Sequence, residues 1–159
     1  MPMVTDQAQM DAYVKSNMLE MVTDMSDAVY GLLHPRLVAC DFCGRSVVAV
    51  FRTTPAMRNS NNVLHGGVTA TMLDSIGGVV TRCFTPAAAI APTVSLQVSY
   101  LEAIPLDVDV HVRASVTHAG RKLLHVRSEA FDPEEPERVY ATGTAVYFIH
   151  QTKGASHGK

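Results

Sequence analysis

The chain has 159 residues, a formal net charge of −2 and a sequence pI near 6.4. A chain of this length makes one domain that buries roughly 70% of the surface it would expose unfolded, so a core needs neither disulfide nor metal. Basic residues are scattered singly along the strands, which excludes the basic face that a nucleic-acid partner requires. The first residues show no basic stretch followed by an apolar one, and no run approaches ~18 apolar residues. The expectation is a soluble cytoplasmic protein with no membrane partner. The three cysteines cannot all pair within one chain and are expected as free thiols.

Residues 6–33 place Met10, Val14, Met18, Met21, Met25, Val29 and Leu33 at helical steps with charged residues between them. This predicts one long amphipathic helix ended at His34-Pro35. Its methionines could line an adaptable pocket, because thioether chains repack around different shapes. Residues 37–40 and 44–54 read as two valine-rich strands joined by Asp41-Phe-Cys-Gly. Cys40-x-x-Cys43 falls at that join, but the two further ligands of a zinc site are not evident and no helix follows as a redox motif needs. After a second helix, 85–92 is a proline-bounded linker of small residues. Residues 93–100, 108–116, 123–131 and 139–149 then read as antiparallel strands with turns at Pro105, Gly120 and Asp132-Pro-Glu-Glu-Pro136. The last strand carries Ala141, Gly143 and Ala145, small enough for a helix to press close. Residues 1–150 form the predicted domain and 151–159 a disordered tail.

The second helix opens from Asn59-Ser-Asn-Asn-Val-Leu-His65-Gly66-Gly67 and carries Asp74 two turns in. Its first N–H groups lack partners inside the helix and sit at the positive end of the dipole, where bare glycines allow close approach. That is a site for an anion or a developing oxyanion, to which Asn59 could add a side-chain N–H. Asp74 lies eight residues beyond Gly66, about 12 Å along the axis and about 80° round it. One helix therefore cannot aim both groups at one carbonyl. If both act together, a second copy related by a two-fold must bring its Asp74 to the first copy's Gly66.

An Asn six residues before His-Gly-Gly, an Asp seven residues after the second Gly, and the strand Thr93-Val-Ser95-Leu-Gln-Val-Ser-Tyr100 all stand here in register. In this the chain resembles the acyl-CoA thioesterases of the phenylacetate-degradation (PaaI) type, which have the hotdog fold. The resemblance implies an α+β hotdog, a curved antiparallel β-sheet wrapped around a central apolar helix, here with an extra N-terminal helix. It implies hydrolysis of an acyl- or aryl-CoA thioester. Gly66, helped by Asn59, would stabilise the oxyanion, Asp74 of the partner would act as base or nucleophile, Ser95 would place the water, and His65 would order the loop.

Gly67, Arg121, Lys122, Arg58 and Arg82 are the candidates for holding substrate, the arginines and lysine through the phosphates of coenzyme A. No cofactor is expected beyond the coenzyme A of the substrate, and the seven histidines show no metal-ligand spacing. The minimal active unit implied is a homodimer, with a dimer of dimers, a homotetramer, as the fuller assembly. Asp74 is followed by Ser-Ile-Gly-Gly-Val rather than by the His of a hydratase, and no Gly-x-Ser-x-Gly elbow marks a serine nucleophile. The remaining alternatives are a non-catalytic acyl-CoA sensor and a partner-binding module on the same fold.

Overall fold

The structure is a computed structural model that describes residues 4–25 and 28–151. Six strands form one antiparallel sheet: β1 (Arg36–Asp41), β2 (Ser46–Arg52), β4 (Thr93–Tyr100), β5 (Asp109–Ala119), β6 (Leu123–Phe131) and β7 (Val139–Phe148). Their order across the sheet is β1-β2-β5-β6-β7-β4. The central helix α3 (Gly66–Cys83) lies against one face and touches β2, β4, β5, β6 and β7. This is the curved sheet around an apolar helix that the sequence predicts.

Alternation explains the layering. Val110, Val112, Ala114 and Val116 of β5 are buried under α3, while Asp109, His111, Arg113 and Ser115 between them are not. On β7 the small residues act as expected. A Cβ on Gly143 would lie 2.7 Å from Ser128 Oγ and 3.3 Å from Leu73 Cδ1, so the helix rests almost on the strand backbone.

The single long N-terminal helix is not found. Helix α1 (Gln7–Thr23) buries Met10, Val14, Met18 and Met21, and the short α2 (Val29–Leu33) is a separate element. At the end of α1, Thr23 turns its hydroxyl back onto the Leu19 carbonyl and the Asp24 N–H bonds Glu20 O. Ala28 is then extended, at φ −92 and ψ −176, and no helix passes through that conformation. The apolar spacing continues across the break, but Met25 and Val29 are 40% and 46% exposed. They face a cleft rather than the core.

The 85–92 linker contains β3 (Ala89–Ile90), which pairs with β8 (His150–Gln151). Gln151 therefore belongs to the paired structure rather than to the tail, of which residues 152–159 lie outside the described residues. Among the described residues no helix is long and apolar enough to cross a membrane.

Candidate active site

The loop before α3 is fixed by its own backbone. Asn59 exchanges bonds with Val63 and Asn62, and its Oδ1 accepts from the Asn61 N–H at 2.8 Å. Asn62 sits at φ 58, a left-handed conformation that asparagine tolerates. The His65 and Leu64 N–H groups are tied to the Met57 and Ile104 carbonyls. These bonds leave the Asn59 side-chain NH₂ with no partner among the described residues.

His65 is the N-cap of α3, its Nδ1 accepting from the Gly67 N–H at 2.9 Å. The Gly67 N–H is thereby used. The Gly66 N–H is different: it donates to no atom of the described residues. It opens on a cleft of about 340 Å³ whose walls include Asn59, Thr69, Tyr100 and Tyr140. The Tyr100 hydroxyl donates to the Gly66 carbonyl at 2.9 Å, so the first turn is held from the carbonyl side while its N–H stays open.

Asp74 opens on a second cleft, of about 400 Å³, walled by α3, by Met21 of α1, Met25 just beyond it and Val29 of α2, and by Thr93 and Tyr147. Two hydroxyls donate to one carboxylate oxygen: Thr93 Oγ1 at 2.9 Å and Tyr147 OH at 3.0 Å, both to Oδ1. The other oxygen, Oδ2, has no partner among the described residues. Tyr147 is 1% exposed. Burial first, then the Asp74 charge beside it, push its phenol far above the ordinary value, so it stays a donor. The two clefts share no lining residue, although Gly66 and Asp74 stand on one helix.

Ser95 does not meet Asp74. Strand β4 carries a bulge between Thr93 and Ser95, so Thr93 pairs with Tyr147 whereas Ser95 pairs with Val146. The extra residue turns Ser95 to the opposite face, where it lines a different cleft with Thr117, His125 and Thr144. Within the chain it is Thr93, two residues earlier, whose hydroxyl stands beside Asp74. Sequence reasoning missed Thr93, Tyr147 and Tyr100 as site residues. A bulge without glycine leaves no mark in the sequence, and Tyr147 reads simply as one more member of a packed strand.

The cationic candidates separate. Arg82 lines the Asp74 cleft, but its guanidinium donates to the Ala87 and Ala89 carbonyls. Arg121 and Lys122 are exposed in the β5–β6 turn and line neither cleft, and Arg58 is exposed beside Asn59. Among the described residues no group of three or more His, Cys, Asp or Glu could hold a metal. Cys40 donates to Asp11, and burial above all pushes its thiol up to about 12.

Residues 61–139 match the family model of the thioesterase superfamily. Over that stretch the chain belongs to the thioesterase superfamily. It is a thioester hydrolase by that membership. No curated protein matches this thioesterase-superfamily chain in sequence. Among solved structures, a thioesterase from Haemophilus influenzae is 13% identical, with 98% of this chain and 99% of that one covered and a TM-score of 0.79. A phenylacetic acid degradation-related protein from Ralstonia eutropha JMP134 is 22% identical over 80% of this chain and 98% of that one, TM-score 0.70. A Streptococcus mutans UA159 protein bound to acetyl CoA is 19% identical over 74% and 90%, TM-score 0.65. At these identities the likeness establishes the hotdog fold of this thioesterase-superfamily member.

Proposed function

We propose that the protein is an acyl-CoA thioesterase of the phenylacetate-degradation type, hydrolysing an acyl- or aryl-CoA thioester to the free acid and coenzyme A. One observation carries the reading. The open Gly66 N–H and the open Asp74 Oδ2 sit on one helix and face different clefts. A thioester needs a stabilised oxyanion and an activated water or nucleophile, and its thiolate leaves readily. The Gly66 N–H, with the Asn59 amide, receives the carbonyl oxygen. Asp74 Oδ2 of a second copy attacks the carbonyl or takes the proton of the attacking water, while Thr93 and Tyr147 hold Oδ1.

The second copy is supported by β4, an edge strand of the sheet on which Val94 and Tyr100 are 58% and 56% exposed. An uncovered edge with apolar side chains favours a partner. The solved relative with acetyl CoA and the phenylacetic acid degradation-related one support the substrate class. The exposed Arg58, Arg121 and Lys122 are the candidates for the phosphates of coenzyme A. Arg82, engaged with the linker carbonyls, is not assigned to them, and Gly67 serves the cap.

The test is release of coenzyme A thiol from aryl, short-chain and long-chain acyl-CoAs by wild type, Asp74→Asn and Gly66→Pro. Proline at the first helical position removes the N–H in question, and His65 at ψ 132 suits a following proline. The proline Cβ comes 3.2 Å from Tyr100 Cε1, so Gly66→Ala, which adds the same Cβ and keeps the N–H, is the control. Asp74→Asn and Gly66→Pro are each expected to be inactive alone. Refolded together, they recover roughly a quarter of the wild-type sites, the share that two-fold pairing of unlike chains restores. No recovery from the mixture would place the site within one chain, and no release by wild type would end the thioesterase reading.

A further inference from the structure

Two residues of α3 are braced from the same edge strand. Thr93, at the start of β4, donates to Asp74 Oδ1 at 2.9 Å, and Tyr100, at its end, donates to the Gly66 carbonyl at 2.9 Å. The first bond holds a side chain and the second holds backbone. Tyr100 is itself well anchored. It pairs with Ala141, and the next two N–H groups, of Leu101 and Glu102, both reach the Tyr140 carbonyl, at 2.8 and 3.1 Å. A Cβ on Gly66 would lie 3.2 Å from Tyr100 Cε1 and 3.3 Å from Cζ, so the ring rests where a side chain at 66 would stand.

The carbonyl that Tyr100 binds and the N–H that His65 binds belong to one peptide group. Its oxygen, on Gly66, takes the phenol proton, while its N–H, on Gly67, donates to His65 Nδ1 at 2.9 Å. A peptide group is planar and stiff, so two side chains gripping its opposite ends fix its tilt. That tilt is otherwise set by backbone torsions of two glycines, the residue least restrained on its own. The preceding peptide, His65 C=O with the Gly66 N–H, is held among the described residues at its oxygen, by the Val68 and Thr69 N–H groups at 2.9 and 3.1 Å. The direction of the Gly66 N–H therefore follows the helical turn that the clamp closes.

We propose that Tyr100 is the positioning residue of the oxyanion donor: with His65 it grips the peptide between Gly66 and Gly67 and so keeps the Gly66 N–H turned toward the thioester oxygen. The proposal rests on the thioesterase reading above. The phenol proton is engaged by the Gly66 carbonyl, so Tyr100 acts through the backbone and not on the substrate. The residue is 56% exposed, and a hydrogen bond that water can replace adds little to folding. What this one fixes is a direction.

Steady-state hydrolysis by wild type, Tyr100→Phe, His65→Ala and the double variant, on the acyl-CoA that wild type cleaves best, tests the clamp. Tyr100→Phe keeps the ring on Gly66 and is expected to lower kcat about tenfold with KM nearly unchanged, less than the roughly 10²–10³ that loss of an oxyanion donor costs. The double variant is expected to lose less than the product of the two single losses, because a peptide released at one end has less to lose at the other. Thermal denaturation confirms that each variant is folded at the assay temperature. Should the His65→Ala variants unfold, kcat and KM of Tyr100→Phe alone carry the test. An unchanged kcat in Tyr100→Phe, or losses that simply multiply, overturns the clamp and leaves the thioesterase reading standing. Absence of all hydrolysis by wild type overturns both.

Discussion

The Tyr147 hydroxyl stands 3.0 Å from Asp74 Oδ1 and 3.1 Å from the Asp74 carbonyl oxygen. One phenol on the last long strand thus holds both the side chain and the backbone of the helix carboxylate. With Thr93 on the same oxygen, rotation of the carboxylate is stopped and Oδ2 is the face left open.

Tyr147→Phe keeps the ring and removes the donor. A hydrogen bond to a charged group contributes about 1.5–3 kcal/mol, and about 1.4 kcal/mol is tenfold in rate. If that bond orients Asp74 in the transition state, kcat falls about tenfold or more while KM changes little. Steady-state kinetics on the folded variant check it, and an unchanged kcat would make the bond structural only.

Gly77 lies directly behind that hydroxyl. A Cβ there would overlap Tyr147 OH and come within 3.3 Å of its ring carbon Cζ, so Gly77→Ala should cost about 1–3 kcal/mol by overpacking. The same substitution made in Tyr147→Phe should cost at least about 1 kcal/mol less, because the overlapping atom is gone. Urea denaturation of the four proteins gives the coupling.

The His65 cap gives a third expectation. His65→Ala removes the acceptor for the Gly67 N–H and should lower stability by about 1 kcal/mol, whereas His65→Asn supplies another good cap and should retain most of it. The melting temperatures of the two variants decide.

Acid should weaken the β6–β7 turn. The Glu134 N–H above all, and the Tyr140 hydroxyl after it, hold the Asp132 carboxyl below its ordinary value. The folded state thus binds the Asp132 proton less readily than the unfolded chain does. Its contribution is fully present above the ordinary value of ~3.9 and is lost as pH falls through the depressed one. Urea midpoints measured from about pH 5 down to about pH 2 should fall less steeply for Asp132→Asn than for wild type.

Much of the fold was written in local patterns. The glycine entrance and apolar spacing of α3, the alternation of β5 and the small residues of β7 each follow from one segment's own sequence. The N-terminal helices were not legible as two, because Met25 and Val29 keep the helical spacing while the backbone at Ala28 departs from it. Their apolar side chains belong to a groove, and spacing does not tell a groove from a core. At the site, His65, Gly66, Asp74 and Asn59 could be picked out because they lie in one stretch. Tyr147 joins Asp74 across 73 residues, a relation that only the packing of β7 beneath α3 creates.

The bulge in β4 makes the hydroxyl beside Asp74 a matter of strand register as much as of side-chain identity. With Ser95 held opposite Val146, a strand running on without the bulge would set Val94 opposite Tyr147 and leave no hydroxyl there, whereas deleting Val94 would close the bulge and keep Thr93 in place. Exchanging Thr93 for serine would merely trim a methyl. A shift of register that straightens the strand, more than substitution at Thr93, is therefore the move by which descendants of this chain could exchange one gate to the carboxylate for another.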